Sequence, residues 1–219
     1  MALQPIARLA WAVIGAVLSA GEVGGQSVVT SSTRVEAQPA IRRAVDPPSA
    51  DFTTYVEGEL VRVSIPSNWR ELPGSNAVAF APEGAYGNAG VKSVFTHGVG
   101  MGLARNDRGD LRATTDDFIA STVLAPPRPV RVTGGRDSSR FPQRRVTIGD
   151  RPGLHTVVST ISEATGELER IEIYTALLRD GTLFYVLAVT PRDRVSDYAA
   201  TFRRVMRSIA IMDCDGCVR

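Results

Sequence analysis

The sequence contains few of the side chains that usually carry chemistry, with two His and two Cys among 219 residues. A catalytic zinc ordinarily takes three protein ligands, commonly His together with Asp or Glu. His97 and His155 fall on different predicted strands, and neither belongs to a His-Glu-x-x-His motif. No Gly-x-Ser-x-Gly motif marks a nucleophilic serine. We therefore expect no catalytic residue, no metal site and no cofactor, and the neighbouring apolar residues favour a half-buried structural role for His97.

A Cys-x-x-Cys pair, Cys214 and Cys217, follows the last predicted helix near the end of the sequence. A redox pair with this spacing normally occupies the N-terminus of a helix, where the dipole lowers the pKa of the thiol. A zinc site would need a second pair of ligands. In an oxidising compartment the two residues are a candidate local disulfide or a bridge to another chain. Redox chemistry and metal binding are the less favoured alternatives.

The most basic segment of the sequence lies between residues 128 and 145. Against the single acid Asp137, its basic residues are Arg128, Arg131, Arg136, Arg140, Arg144 and Arg145. Interleaved prolines and glycines predict a long exposed loop. Because a guanidinium matches carboxylate and phosphate groups with two parallel donors, the segment is a candidate anion-binding surface. The alternative is a solvated loop that keeps the domain soluble.

The N-terminus has the pattern of an export signal. A short basic start is followed by the twelve-residue apolar run Leu9–Ala20 and then by small residues. We predict a signal peptide over residues 1–25 and an exported chain, periplasmic or extracellular, without a transmembrane span after cleavage. An uncleaved anchor or a buried helix is the alternative. A polar linker is predicted over residues 26–55, a domain over 56–212 and a C-terminal tail over 213–219.

The candidate binding residues combine four of the arginines with three other side chains. They are Arg136, Arg140, Arg144, Arg145, Trp69, Tyr86 and His97. A net charge of +2 excludes a chain covered in excess positive charge, as in many nucleic-acid-binding proteins. The basic segment contains only one aromatic residue, Phe141, on which a base could stack. The expected partner is therefore an envelope protein or an anionic envelope surface, and not a nucleic acid.

Strand and helix patterns alternate along the predicted domain. Strands are predicted at 60–66, 77–81, 91–103, 145–148, 154–161, 168–178 and 183–189, and helices at 111–124 and 195–209. Asp180-Gly181 predicts a hairpin turn. Three glycines at alternate positions, Gly98, Gly100 and Gly102, indicate a bare strand face for close packing or a shallow groove. The order predicts an α+β fold, an antiparallel sheet of about six to seven strands covered by two helices.

Three segments of the chain resemble a known domain: Val63–Gly87, Ser93–Val99 and Tyr174–Asp193. The similarity covers most of Gly58–Met212 and is to the C-terminal accessory domain of bacterial, notably acidobacterial, HExxH zinc metallopeptidases. That domain is similar to the PsbP-like α/β/α sandwich. Since the peptidase motif itself does not occur in this sequence, the resemblance implies an accessory or binding module and no protease activity.

We therefore expect an exported, non-catalytic binding or accessory module of the cell envelope that recruits a protein partner such as a metallopeptidase. Two alternatives remain open. The first is a small hydrolase-like enzyme with a cleft near Glu83, Tyr86, His97 and Glu172. The second is a small-ligand carrier that uses the glycine face. The fold itself does not choose among them, because one fold can host unrelated functions.

Overall fold

The computed structural model describes the folded part of the chain, all of it within the compact unit Gln38–Arg219. The described residues are 45–74, 77–89, 92–105, 109–123, 141–162 and 164–213. The predicted signal peptide, Arg136, Arg140, Cys214 and Cys217 lie outside them.

The described residues form twelve strands and two α-helices. The strands are β1 (Phe52–Glu57), β2 (Val61–Pro66), β3 (Trp69–Pro73), β4 (Ala77–Pro82), β5 (Tyr86–Ala89), β6 (Lys92–Phe95), β7 (Gly98–Ala104), β8 (Gln143–Ile148), β9 (Arg151–Ile161), β10 (Leu168–Leu177), β11 (Leu183–Pro191) and β12 (Ala210–Ile211). Helix α1 (Leu111–Phe118) continues into a π-helical turn (Ile119–Val123), and a 3-10 turn (Arg192–Arg194) leads into α2 (Val195–Ser208).

Seven strands form one antiparallel sheet in the order β3-β4-β7-β11-β10-β9-β8. A three-stranded sheet, β1-β2-β12, and the hairpin β5-β6 complete the β-structure of the described residues. Helices α1 and α2 cover the large sheet, so the predicted α+β fold with an antiparallel sheet of six to seven strands and two helices is confirmed.

The large sheet separates two clusters of buried apolar side chains. On the α2 face, Val99, Met101 and Phe184 pack with α2 and the three-stranded sheet. On the opposite face, the α1 face, Ile171 and Ile173 pack with α1 and its π-helical turn. Each large apolar side chain that is removed from water contributes about 1.5–3 kcal/mol.

Two local predictions about this core are confirmed. Strand β2 alternates as expected, and Val61, Val63 and Ile65 are buried. The helix predicted at 195–209 forms as α2 and buries an apolar stripe at Tyr198, Phe202 and Val205, with Ile209 following the helix end. The period-2 and period-3.6 patterns succeed here because each element buries a single face.

The hairpin turn predicted at Asp180-Gly181 joins β10 to β11. Gly181 has a positive φ of 83°, a conformation that glycine adopts without steric cost. The Asp180 carboxylate accepts a hydrogen bond from the Thr182 N–H at 2.8 Å. This tight turn sets the register of the two central strands.

The strand predicted over residues 91–103 is two strands in different sheets, β6 and β7. The predicted strand is interrupted just before Gly98, whose φ is 144°. A Cβ at Gly98 would lie 2.2 Å from the Phe80 carbonyl oxygen, so the position requires glycine. The break places Phe95 on the α1 face, opposite to Val99, although the sequence pattern puts the two side chains on one face.

Helix α1 begins at Leu111, where the sequence predicts its start. Its N-cap is Asp110, whose Oδ2 accepts a hydrogen bond from the Ala113 N–H at 2.9 Å. The Thr114 hydroxyl donates to the Asp110 carbonyl oxygen at 2.7 Å from inside the first turn. Thr114 therefore lies inside the helix and does not cap it.

Strand β1 begins at Phe52, inside the segment predicted as linker. It pairs antiparallel with β2, with Phe52 opposite Pro66. The Arg204 guanidinium lies 3.8 Å from the centre of the Phe52 ring. These contacts move the start of the folded domain before the predicted boundary at residue 56.

Candidate anion-binding site

The two described arginines of the basic segment, Arg144 and Arg145, lie on β8, the last strand of the large sheet. Both are exposed. Arg144 is opposite His155 and Arg145 is opposite Leu154 on β9, so the two arginines point to opposite faces of the sheet. The two arginines are adjacent in sequence but lie on different surfaces of the protein.

Neither arginine on β8 contacts a carboxylate among the described residues. Several other arginines in the structure do, and these pairs are Arg70–Glu83, Arg151–Asp213, Arg170–Glu172 and Arg194–Asp197. The positive charges of Arg144 and Arg145 thus have no contacting carboxylate among the described residues.

The buried side chain of His155 lies next to Arg144 and is hydrogen-bonded to its guanidinium. Arg144 Nη2 is 3.1 Å from His155 Nδ1, and His155 Nε2 is 3.2 Å from Glu172 Oε2. A guanidinium only donates hydrogen bonds, so Nδ1 must accept from Arg144. The hydrogen-bond pattern then requires a neutral ring with its proton on Nε2, which donates to Glu172.

Glu172 anchors this network as a charged carboxylate. The hydrogen bond from His155 lowers the pKa of Glu172 to about 2 against the opposing effect of burial, with further contributions from Tyr174 and Arg170. Tyr174 donates its hydroxyl to Glu172 Oε2 at 2.9 Å, and Arg170 Nε donates to Oε1 at 3.1 Å. Burial and the Glu172 charge raise the pKa of Tyr174.

The His155 ring is fixed as well as hydrogen-bonded. It is 9% exposed, and it stacks on the Tyr174 ring with centroids 4.4 Å apart and planes at 15°. Both ring nitrogens are occupied, so His155 has no free site for a substrate proton. The pocket beside Glu172 has a volume of about 10 Å³, close to that of one water molecule. The arrangement can hold a guanidinium in place, and it offers no space for a substrate.

The four residues of the expected enzymatic cleft are not brought together. Glu83 and Tyr86 hydrogen-bond each other at 2.9 Å on the surface, where Arg70 also pairs with Glu83 at 2.8 Å. His97 immediately precedes β7, whereas Glu172 lies on β10, and β11 runs between those two strands. The intervening strand therefore separates Glu172 from His97.

Two of the candidate binding residues, His97 and Trp69, lie in the core. His97 is 8% exposed and contacts the Tyr198 ring at 5.2 Å. Burial, with a smaller effect of Arg194, lowers its pKa to about 4. Trp69 is 7% exposed and packs on Tyr198 and Phe202 with centroids 6.4 Å away. The structural role expected for His97 agrees with this placement.

The glycine face of β7 is partly covered and partly a groove. At Gly100 a Cβ would lie 3.3 Å from the Phe95 ring, which shows close packing at that position. Beside it a groove of about 200 Å³ opens on the α1 face. Its lining includes Leu72, Ala79, Tyr185 and Leu187. Both interpretations of the glycine pattern therefore have a counterpart in the structure.

Among the described residues, no three His, Cys, Asp or Glu side chains lie close enough together to hold a metal ion. In the same part of the chain, none of the helices has the length and apolar character needed to cross a membrane.

Sequence reasoning identified Arg144 and Glu172 but assigned them to different sites, and it gave His155 a role in neither. The signal that joins them is the short connection between β8 and β9, where Ile148 is opposite Arg151. Counting outward from a two-residue turn places position 144 opposite 155, so a sequence-based register could have found this pair.

No protein-family model matches the sequence, and no curated protein matches it significantly. Among solved structures, a cyanobacterial PsbP (CyanoP) from Synechocystis sp. PCC 6803 is 11% identical with a TM-score of 0.51, over 74% of this chain and 93% of that chain. The Ran-binding protein Mog1p of Saccharomyces cerevisiae is 8% identical with a TM-score of 0.47, over 74% of this chain and 96% of that chain.

A Bacteroides thetaiotaomicron protein is 12% identical with a TM-score of 0.43 over 72% of this chain, and the present chain spans about half of its length, 47%. At these identities a likeness concerns the fold alone. The match to the cyanobacterial protein agrees with the antiparallel sheet and two helices described above. The chain has the PsbP-like α+β fold.

Proposed function

We propose that this chain is an exported, non-catalytic accessory module of the cell envelope that binds an anionic partner through Arg136, Arg140, Arg144 and Arg145. The partner is an envelope protein, such as a metallopeptidase, or an anionic envelope surface. The single observation that carries the proposal is that Arg144 and Arg145 are exposed on a sheet edge without a carboxylate in contact among the described residues.

Three further features support this proposal. The N-terminal pattern is that of an export signal. The only candidate acid–base histidine with a carboxylate partner in the described structure, His155, has both nitrogens occupied. A positive surface attracts anionic partners and accelerates their association. Binding is therefore better supported than catalysis.

The experiment is a capture from envelope extract with residues 26–219, at low and high salt, read by mass spectrometry. We expect Arg140→Ala/Arg144→Ala/Arg145→Ala to capture less and to lose most of its salt dependence. The matched control replaces three exposed arginines elsewhere, Arg62→Ala/Arg192→Ala/Arg207→Ala, with the same change in net charge. Undiminished capture by the first variant, or equal loss in both, would move the interface away from β8.

A small-ligand carrier is the second candidate, because the groove on the α1 face has a specific geometry. Its volume of about 200 Å³ and its apolar lining suit an apolar group of a few carbon atoms. Ala79→Leu should fill the groove and reduce the fluorescence of a bound apolar dye, whereas the surface change Arg62→Leu should not. Equal dye binding by wild type and Ala79→Leu would remove this candidate.

A further inference from the structure

We propose that His155, with Glu172 and Tyr174 behind it, positions Arg144 to bind a phosphate group at the β8 edge of the sheet. This inference rests on the proposed anion-binding function and names its ligand chemistry and its positioning residues. Arg144 contacts the ligand, and the other three residues act through Arg144.

The network orients Arg144 without neutralising it by direct contact. A carboxylate in direct contact would both orient the guanidinium and compensate its charge. Here a neutral imidazole stands between Arg144 and Glu172, with hydrogen bonds of 3.1 Å and 3.2 Å at its two nitrogens. Carboxylate–histidine pairs orient metal cations in the same manner, because the carboxylate makes the distal nitrogen a better electron donor. The cation held by this pair is a guanidinium.

The hydrogen bond to His155 restricts the side chain of Arg144, whereas the side chain of a surface arginine ordinarily rotates freely. The His155 ring is 9% exposed and is held by stacking on Tyr174 as well as by its hydrogen bonds. Glu172, in turn, accepts hydrogen bonds from Tyr174 and Arg170. Arg144 has therefore lost part of its rotamer freedom before a ligand arrives, which lowers the entropy lost on binding.

The remaining donors of Arg144 suit a ligand that presents two oxygens side by side. Of the five N–H groups of a guanidinium, the contact with His155 engages one nitrogen, Nη2. The other N–H groups can still form a pair of parallel hydrogen bonds, which matches two oxygens of a phosphate. A free phosphate and a phospholipid headgroup both present this group.

Arg145 provides a matched comparison within the same strand. It has the same charge and is exposed, but it lies on the opposite face of the sheet, opposite Leu154. No described side chain shares a hydrogen bond with its guanidinium in the way that His155 does with Arg144. Arg145 should therefore contribute through its charge alone, and Arg144 through both its charge and its fixed geometry.

The test measures the affinity of the full mature chain for inorganic phosphate by titration calorimetry, and for phosphatidylglycerol vesicles by co-sedimentation, at constant ionic strength. We expect Arg144→Lys and His155→Phe to weaken binding about tenfold, the size of one lost charge-assisted hydrogen bond, and Arg144→Ala to weaken it at least as much because the charge is lost as well. Arg145→Ala should weaken binding no more than about threefold, because Arg145 contributes only its screened charge. His155→Gln should remain within about twofold of wild type, because an amide can accept from Arg144 and donate to Glu172.

The two probes identify the source of the phosphate. Phosphate binding without vesicle binding means a free phosphate ligand, and vesicle binding that phosphate competes away means a lipid headgroup. Circular dichroism and the melting temperature establish that each variant is folded. If His155→Phe does not fold, the ¹⁵N signals of the Arg144 guanidinium in wild type and His155→Gln test the positioning role. A guanidinium that is held in place has resolved Nη resonances.

Different failures point to different errors. Unchanged affinity in His155→Phe, together with a tenfold loss in Arg144→Ala, would leave the anion surface in place and overturn the positioning role. Averaged Nη resonances of Arg144 in wild type would overturn it as well. Unchanged affinity in both Arg144→Ala and Arg145→Ala, or vesicle binding that also occurs with neutral phosphatidylcholine, would overturn the proposed function at this surface.

Discussion

His97 should make the stability of this protein depend on pH in a defined window. Burial first, and then Arg194, lower its pKa from 6.5 to about 4 in the folded chain. The unfolded chain therefore binds more protons between these two pH values. Stability is fully present above about pH 6.5 and falls as the pH decreases toward about 4. The complete loss corresponds to about 3 kcal/mol, and about 2 kcal/mol of it should be lost by about pH 5.

The assay is urea denaturation of wild type and His97→Gln at about pH 7.5 and about pH 5. At about pH 5 the protonation of Glu172 does not yet change the stability. The folded pKa of Glu172 is about 2, below the ordinary 4.5, so the stability that this carboxylate contributes is lost only below about pH 4.5. Wild type should lose about 2 kcal/mol more than His97→Gln between the two conditions. The same pH dependence in both proteins, or a His97 NMR titration centred near 6.5, would refute the reasoning.

Three further predictions concern the folding of the sheet and its helices. Gly98→Ala should cost about 3 kcal/mol or more in urea denaturation, because its Cβ would lie 2.2 Å from the Phe80 carbonyl oxygen. The control Gly58→Ala also has a positive φ but nothing within 4 Å, and it should cost only about 1 kcal/mol; equal losses would contradict the steric argument. Asp110→Ala should cost about 1 kcal/mol by removing the N-cap of α1, and Asp110→Asn should restore most of it; an unchanged melting temperature in the Ala variant would contradict the cap. Phe184→Ala should cost about 3–5 kcal/mol, since this side chain is 1% exposed in the core of the α2 face, and a loss below about 1 kcal/mol would contradict its central packing.

The elements that sequence patterns predicted well are those that bury one face. Strand β2 and helix α2 repeat their apolar residues with the period of the element, because one side meets the core and the other meets solvent. The β10–β11 hairpin is equally local, since Asp180 and Gly181 favour a tight turn whatever surrounds them.

The elements that sequence patterns missed depend on partners distant in the chain. Strand β1 has mostly exposed side chains and is ordered by pairing with β2, so its own residues do not alternate. Strand β3 pairs only with β4 among the described strands. The break before β7 depends on the Phe80 carbonyl oxygen, which approaches Gly98 from another strand. No pattern within one segment reports such a contact.

The sequence by itself determined that the chain has no HExxH motif, no serine elbow and a concentration of arginine before and within β8. Those properties depend only on which residues are present and how they are spaced. Only the tertiary structure decided that Arg144, His155 and Glu172 form one network. The physical reason is strand register, because each of the three residues lies on a different strand and a slip of one residue would send His155 to the other face of the sheet.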